Sequence, residues 1–204
     1  MLNRRKFLLT SLAAPLFLAN QTSKAQSAPA GKMLLAMHQN TSRAAGFRAS
    51  LEGWARAGIQ YVELNERMLD GFLENDTLVG ARNLLSNLGL TPVSASAALP
   101  DLWLPGPARE ASLESWRQRC DQFAELGLQK IYSPAITNRP VTAEDFAATP
   151  ESIREVAVIS SEYNLTCMIE FLRTSTHLAT MTSALSMIRA ADHPNVRPMV
   201  DFFH

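Results

Sequence analysis

A repeated helix-stop signal divides the chain into units of similar length. Each stop is a Gly or Asn that ends an apolar helical pattern and is followed at once by a β-prone run. The four stops lie 31, 38 and 37 residues apart, at Gly58, Gly89, Gly127 and Asn164. Gly and Asn favour the left-handed conformation that closes a helix. The interval matches one strand, one helix and two loops, which predicts repeated βα units.

The runs between these stops predict six strands and five helices. Short β-prone segments predict strands at 33–37, 61–64, 93–97, 130–133, 167–172 and 198–203. Apolar residues at helical spacing predict helices around 47–55, 78–88, 113–123, 153–160 and 178–188. Thr149 and Pro150 predict the N-cap and first turn of the fourth helix.

Parallel strands joined by helical crossovers bury both faces of their sheet. The architecture is therefore α/β, either a doubly wound open sheet or a closed barrel, and periodicity alone leaves both open. No Gly-rich phosphate loop follows the first strand, where His38 is followed by Gln39, Asn40 and Thr41. This absence disfavours a dinucleotide-binding open sheet.

The N-terminal segment has the pattern of an export signal. An arginine pair at positions 4 and 5 precedes an apolar run that ends at Leu18, and Ser23 to Ala25 offers a cleavage point. We predict a twin-arginine signal peptide over 1–25, a flexible leader over 26–31 and a folded domain over 32–204. The protein would then reach the periplasm or cell envelope through the twin-arginine machinery. The alternative is a buried N-terminal helix or an uncleaved anchor, although the run is short for a stable membrane span.

Charge and cysteine content narrow the partners and the chemistry. Residues 26–204 contain 15 basic and 19 acidic side chains, a balance that disfavours nucleic acid as a partner. Cys120 and Cys167 are the two cysteines, and both lie on apolar faces. We expect them to be core residues instead of a redox pair.

Candidate site residues follow the predicted strands at their carboxyl ends, where ligands of parallel sheets collect. They are His38, Glu63, Glu170, Asp201 and His204. Glu170 and Asp201 end adjacent strands, and two such carboxylates repel unless a cation or a proton lies between them. Oxygen ligands suit Mg²⁺ or Mn²⁺. Structural ion pairing is the alternative for both residues.

The strand that ends in Ile169 and Glu170, followed by the segment from Asn195 to Asp201 and His204, resembles the xylose isomerase-like TIM-barrel superfamily. The segment from Trp54 to Leu64 supports this resemblance, which covers 33–204. Members include sugar epimerases, hydroxypyruvate isomerases, inosose dehydratases and endonuclease IV.

The resemblance implies a (β/α)₈ TIM barrel and a divalent-metal site. Glu170 and Asp201 match the first two metal ligands, and His204 matches a histidine that contacts substrate. Mn²⁺ or Mg²⁺ is the expected metal, with Co²⁺ and Zn²⁺ as alternatives. The metal would polarise a sugar carbonyl and hydroxyl while carboxylates, Glu170 among them, move a proton through an enediolate.

The chain departs from the family pattern in two ways. The family takes a third ligand from strand seven and a final Glu from strand eight, and the sequence stops at His204. An acidic substrate contact of the epimerases is replaced by Thr176. We therefore expect an incomplete barrel of about six strands and five helices, from a truncated reading frame or a fragment, with homo-oligomerisation through the open edge as the alternative.

Weaker candidates complete the predicted site. Trp103 is predicted either to stack on a sugar ring or to cover the barrel mouth, and His38 and Glu63 to line the substrate pocket. His177 and His193 are expected to be solvated or to cap helices.

The leading functional hypothesis is a metal-dependent isomerase or epimerase acting on a sugar or polyol. A lyase or dehydratase acting on oxidised sugars or inosose would use the same chemistry. A non-catalytic fragment or sugar-binding scaffold is the alternative from another class. DNA cleavage conflicts with export and with the acidic charge of residues 26–204.

Overall fold

The computed structural model describes residues 33–204. The predicted signal peptide and leader lie outside these residues, so the export route stays a prediction. Residues 34–204 form one compact unit. Within the described part of the chain, every helix is too short or too polar to serve as a membrane span.

Six parallel strands form one sheet whose spatial order is the same as their order in the chain. A doubly wound sheet would reverse its strand order part-way, whereas a barrel adds each strand beside the last. The observed order therefore decides for the barrel, and the chain forms six strands of an incomplete (β/α)₈ fold. The strands are β1 (Ala36–His38), β2 (Tyr61–Asn65), β3 (Thr91–Ser96), β4 (Lys130–Pro134), β5 (Thr166–Glu170) and β6 (Val196–Met199).

Within residues 33–204, six α-helices connect the strands, together with a 3-10 helix at Gln39–Ala45. Five of them lie where the apolar periodicity predicts a helix. They are α1 (Gly46–Arg56), α3 (Leu78–Asn87), α4 (Arg109–Glu125), α5 (Ala143–Glu162) and α6 (Met181–Ala191). The helix α2 (Glu66–Leu73) was not predicted, because its eight residues follow β2 directly. Its N-terminus is capped by the Asn65 side chain, which accepts from the N–H groups of Arg67 and Met68.

The start of α5 differs from the prediction. The N-cap is Thr142, whose hydroxyl accepts from the Asp145 N–H while the Asp145 carboxylate accepts from the Thr142 N–H. This reciprocal capping box starts the helix upstream of the predicted cap. Thr149 and Pro150 consequently lie inside α5, and the buried Thr149 hydroxyl donates to the Asp145 carbonyl at 2.8 Å. The predicted cap at Thr149 is wrong for this reason.

The four predicted helix stops are confirmed by their backbone angles. Gly58, Gly89, Gly127 and Asn164 have φ values of 79°, 66°, 84° and 58°. A left-handed residue turns the chain out of its helix and into the following strand. The stops therefore set the length of each βα unit, as their spacing predicts.

The first and last strands are shifted relative to the prediction. β1 begins at Ala36, and Met33 and Leu35 before it are exposed. β6 ends at Met199, and Phe202 and Phe203 beyond it are exposed. Apolar composition predicted longer strands than the ladder supports. Asp201 and His204 consequently lie in the turn after β6.

The apolar core includes an aromatic pair between the sheet and its covering helices. Trp103 and Trp116 meet edge to face with ring centroids 6.2 Å apart. The indole of Trp116 donates to the Ser160 hydroxyl at 2.9 Å. Cys120 and Cys167 are free and buried, as predicted, and burial raises the pKa of each thiol to about 12. Both therefore stay protonated and pack as small apolar side chains.

Candidate metal centre

Three predicted site residues converge at the carboxyl ends of β5 and β6. Glu170 is the last residue of β5, and Asp201 and His204 lie in the turn after β6. One ligand atom from each side chain falls within 4.8 Å of the other two. The turn is closed by the Asp201 carboxylate, which accepts from the Phe203 N–H at 2.8 Å, and by the Asp201 carbonyl, which accepts from the His204 N–H. The hydrogen bonds of this turn thus hold the Asp201 and His204 side chains together, beside Glu170.

The surroundings of Glu170 disfavour the ionised form of its carboxyl group. Its pKa is raised to about 7, mainly by burial and additionally by the negative charges of Asp201 and Glu63. Carboxylate oxygens of Asp201 and Glu170 lie within 4.8 Å of each other, and two such neighbouring carboxylates repel unless a proton or a cation lies between them. A cation bound between these carboxylates would replace that proton and remove the repulsion.

The donor set fits a divalent ion. It consists of two carboxylates and one imidazole, a combination that Mn²⁺, Zn²⁺ and Co²⁺ accept, whereas Mg²⁺ would rely more on the oxygens. The Nδ1 atom of His204 is buried and has no hydrogen-bond partner among the described residues. A buried, unpaired nitrogen is costly unless something coordinates or protonates it. The arrangement therefore fits the predicted half-site and adds His204, expected to contact substrate, as a third group that could hold the ion.

The register of the first three strands builds a second polar wall. His38 pairs with Glu63 across β1 and β2, and Glu63 pairs with Ser94 across β2 and β3. The Ser94 hydroxyl donates a short hydrogen bond to one Glu63 oxygen. The His38 Nε2 atom lies 3.5 Å from the other Glu63 oxygen. The structure thus brings His38 and Glu63 together as the strand-end argument predicts.

Tyr132 on β4 completes this wall and was not predicted. Its hydroxyl lies 3.2 Å from both the Glu63 carboxylate and the His38 Nε2 atom. Burial raises the Tyr132 pKa above its ordinary value, and the nearby charges of Glu63 and Glu170 add to the shift. The hydroxyl therefore keeps its proton and donates to Glu63. A tyrosine in a strand is usually interpreted as a packing residue. Only its location near the carboxyl end of β4 indicates that Tyr132 could line the site.

A cavity of about 520 Å³ joins the two clusters. Its volume is in the range of small-molecule sites. Nine of the twelve lining residues have polar side chains. The lining residues are His38, Asn40, Glu63, Asn65, Ser96, Ala98, Tyr132, Pro134, Glu170, Met199, Asp201 and His204.

A network of buried hydrogen bonds lies beside the cavity and includes two of its lining residues, Asn65 and Ser96. The Asn65 amide donates to Ser96 at 3.2 Å, and Ser96 donates to the buried carboxylate of Glu66 at 3.1 Å. Gln39 accepts from the Asn65 backbone N–H at 2.9 Å and is itself fully buried. These interactions fix the ends of β2 and β3, and the sequence pattern gave no sign of them.

Comparison with known families decides the relationship. The sequence signature described as "Xylose isomerase-like TIM barrel" matches residues 51–204. The chain belongs to this family. No curated protein sequence matches this xylose isomerase-like chain.

Solved structures share the fold at low identity. A xylose isomerase-like TIM barrel/4-hydroxyphenylpyruvate dioxygenase fusion protein matches with a TM-score of 0.73 and 19% identity over 82% of this chain. The IolI protein with a bound zinc atom matches with a TM-score of 0.72 and 16% identity over 84%. D-psicose 3-epimerase, crystallised in the presence of D-fructose, matches with a TM-score of 0.70 and 21% identity over 84%. This xylose isomerase-like chain spans 26%, 63% and 64% of those proteins, respectively.

Trp103 is not part of the site in this xylose isomerase-like barrel. Its side chain is 2% exposed, packs on Trp116, and donates its indole N–H to the Ser133 carbonyl at 3.3 Å. No ring face is left for a sugar, so the stacking prediction is corrected. His177 is likewise buried, 2.9 Å from the Thr149 hydroxyl, and is not a solvated residue. His193 follows the C-cap residue Asp192 of α6, and its Nδ1 accepts from the Asn195 N–H in the loop before β6, so it orders that loop and does not cap the helix.

A second large cavity lies on the outer face of this xylose isomerase-like barrel, between α1 and α2. It measures about 660 Å³, and Phe47 and Phe72 contribute its apolar wall. Arg48 lies over the Phe72 ring and pairs with Asp76 at 2.9 Å. The groove is larger than the strand-end cavity, but its lining among residues 33–204 includes no cluster of metal-ligating groups, so volume alone does not identify the site.

Proposed function

We propose that this chain belongs to a divalent-metal-dependent sugar isomerase or epimerase. The observation that carries the proposal is the convergence of Glu170, Asp201 and His204 within 4.8 Å, beside a polar cavity at the strand ends. Ligands of parallel barrels bind at this end.

The residues of the chain have separable roles in this proposal. Glu170 and Asp201 would hold the metal through carboxylate oxygens, and His204 would supply a nitrogen ligand or contact substrate. A bound divalent ion would polarise substrate oxygens and lower the pKa of an adjacent C–H or hydroxyl. Glu170 is buried beside the cavity, so it is also placed to hold or accept a proton.

Two structural relatives support the proposal, one in its sugar substrate and the other in its divalent metal. One is an epimerase crystallised with D-fructose and another was crystallised with a zinc atom. Because identity is low and this chain spans less than two thirds of those proteins, the activity of the whole protein remains a proposal.

Metal binding is the first test. The chain would be treated with EDTA and titrated with Mn²⁺, Mg²⁺ or Zn²⁺, with thermal unfolding as the readout. We expect a stabilisation of about 2.7 kcal/mol when free metal exceeds its Kd a hundredfold. Glu170→Gln should abolish the response because it removes an anionic ligand while preserving shape. Glu162→Gln, an exposed acid at the end of α5, is the matched control and should respond like the parent chain.

Proton transfer is the second test. The metal-loaded chain would be incubated with D-fructose in D₂O, and deuterium incorporation at carbon would be followed by NMR. Isomerase or epimerase chemistry predicts incorporation that requires both metal and Glu170. Metal binding without any exchange, across a panel of sugars and polyols, would instead indicate a sugar-binding scaffold. Absence of metal binding would contradict the proposed function.

A further inference from the structure

Three polar atoms on the β1, β2 and β4 side of the cavity form a closed triangle. The Tyr132 hydroxyl lies 3.2 Å from His38 Nε2 and 3.2 Å from a Glu63 oxygen, and those two atoms are 3.5 Å apart. All three residues line the cavity that Glu170 and Asp201 also line. The proposed metal ligands Glu170, Asp201 and His204 take part in none of these contacts.

The hydrogen-bond pattern assigns the protons of this triangle. The Nδ1 atom of His38 accepts from the Asn40 backbone N–H at 3.0 Å, so the neutral ring carries its proton on Nε2. That N–H donates into the triangle. Tyr132 and Ser94 both donate to Glu63, which leaves the Glu63 carboxylate an acceptor with lone pairs to spare. A ligand group that meets Glu63 must therefore be a donor, such as a hydroxyl.

The charge of the cavity points to the same class of ligand. Its lining contains three carboxylates, and among the described lining residues none is a lysine or an arginine. A divalent ion held by Glu170 and Asp201 would neutralise their two negative charges, and the negative charge of Glu63 would remain. A phosphate or carboxylate placed near Glu63 would meet repulsion without the cationic partners that usually recognise it.

Backbone donors at this end of the barrel are also engaged. The Asn65 side chain occupies the N–H groups of Arg67 and Met68 at the start of α2. The Glu66 carboxylate accepts from the Ala98 N–H at 3.2 Å. Arg173, three residues after Glu170, stacks on the exposed ring of Phe203 at 5.2 Å and does not line the cavity. These groups do not form an anion site.

We propose that His38, Glu63 and Tyr132 form a hydroxyl-binding subsite that selects an uncharged sugar or polyol over its phosphorylated form. Tyr132 acts as the positioning residue, because it holds the Glu63 carboxylate and the His38 ring in one arrangement. The inference rests on the proposed function and specifies its substrate class.

The test compares a neutral ligand with its phosphate ester. Binding of D-fructose and of D-fructose 6-phosphate to the Mg²⁺-loaded chain would be measured by calorimetry, and repeated without metal. We expect D-fructose to bind at least about tenfold more tightly. Tyr132→Phe should weaken D-fructose binding about tenfold while metal affinity is unchanged, because one hydrogen bond to a charged group is lost. Tyr163→Phe at the end of α5 is the control and should change neither.

Glu63→Gln tests the charge argument separately. The amide preserves the shape of the side chain and removes its charge. The ratio of the affinities for D-fructose and D-fructose 6-phosphate should therefore fall. Three results would overturn the subsite: tighter or equal binding of the phosphate ester, a preference unaffected by Glu63→Gln, or Mg²⁺ binding without binding of either sugar. Phosphate binding that disappears in Arg173→Ala would also overturn it. Failure of Mn²⁺ and Zn²⁺ as well as Mg²⁺ to bind would count against the proposed function instead, while the measurement without metal would still decide the subsite.

Discussion

The Tyr132 hydroxyl lies 3.2 Å from the Nε2 atom of His38, although the residues are 94 positions apart in the chain. They belong to β4 and β1, which are separated in the sheet by β2 and β3. In a flat sheet three strand spacings would separate their backbones by about 14 Å. The contact therefore requires a sheet that curls so that side chains of one face converge, as in a barrel.

Glu170 makes the stability of the metal-free chain depend on pH. Its pKa is raised from about 4.5 to about 7, so the folded chain binds a proton that the unfolded chain releases in this range. We expect the free energy of unfolding to fall as pH rises from about 4.5 to about 7, by up to about 3 kcal/mol. Urea unfolding at several pH values in EDTA would measure it. Glu170→Gln should remove this slope, and an unchanged slope in the variant would contradict the assignment.

His177 should produce a pH dependence of the opposite sign. Burial lowers its pKa from 6.5 to about 4, and its ring lies between Thr149 and Phe146. The unfolded chain therefore takes up a proton first as pH falls below 6.5, so this contribution to stability is lost between about 6.5 and about 4. His177→Gln should show a smaller acid loss in urea unfolding. His193→Gln, which alters a half-exposed residue of the loop before β6, should retain the loss of the parent chain.

Trp103 should affect stability and not ligand recognition. Its side chain is 2% exposed and packs on Trp116, so Trp103→Ala should lower the free energy of unfolding by about 3–5 kcal/mol. Phe202→Ala removes an aromatic side chain that is 97% exposed and should change stability by less than about 0.5 kcal/mol. Chemical denaturation of both variants provides the comparison. Normal stability combined with weaker sugar binding in Trp103→Ala would restore the stacking hypothesis.

Two glycines offer a matched test of the helix-stop signal. Nothing lies within 4 Å of a Cβ built at either Gly127 or Gly71, so packing is equal at the two positions. Gly127 has a φ of 84°, and Gly127→Ala should destabilise the chain by about 1 kcal/mol. Gly71 lies inside α2, and Gly71→Ala should stabilise it by up to about 1 kcal/mol. Equal effects of the two changes in thermal or urea unfolding would argue against a conformational role for the stop.

Local signals predicted most of the fold. Helix stops such as Gly127 and runs such as 130–133 act over a few residues, so the βα order could be predicted without knowing any contact. The failures were also local. Thr149 and Pro150 match the pattern of a helix start, but the capping box of Thr142 and Asp145 begins the helix upstream of them. Trp103 lies in a loop after β3, and local sequence patterns do not reveal that it is buried.

The site was predicted in part for a related reason. Glu170 and Asp201 could be predicted because strand ends converge in any parallel sheet, and the Asp-x-x-His turn places His204 beside them. Tyr132 could not be predicted, because its partners His38 and Glu63 lie on other strands. Its role depends on how far the sheet curls, and short-range sequence patterns contain no measure of that.

The sequence by itself determined the repeated βα units, the left-handed stops and the acidic strand ends, since these depend on backbone preferences and on side-chain type at each position. The strand order confirms the barrel that the family resemblance predicts, while only tertiary packing buries Trp103 and His177 and closes the triangle of His38, Glu63 and Tyr132. The physical reason is that burial and hydrogen bonding between distant strands depend on sheet register and curvature, which arise only when all six strands pack together.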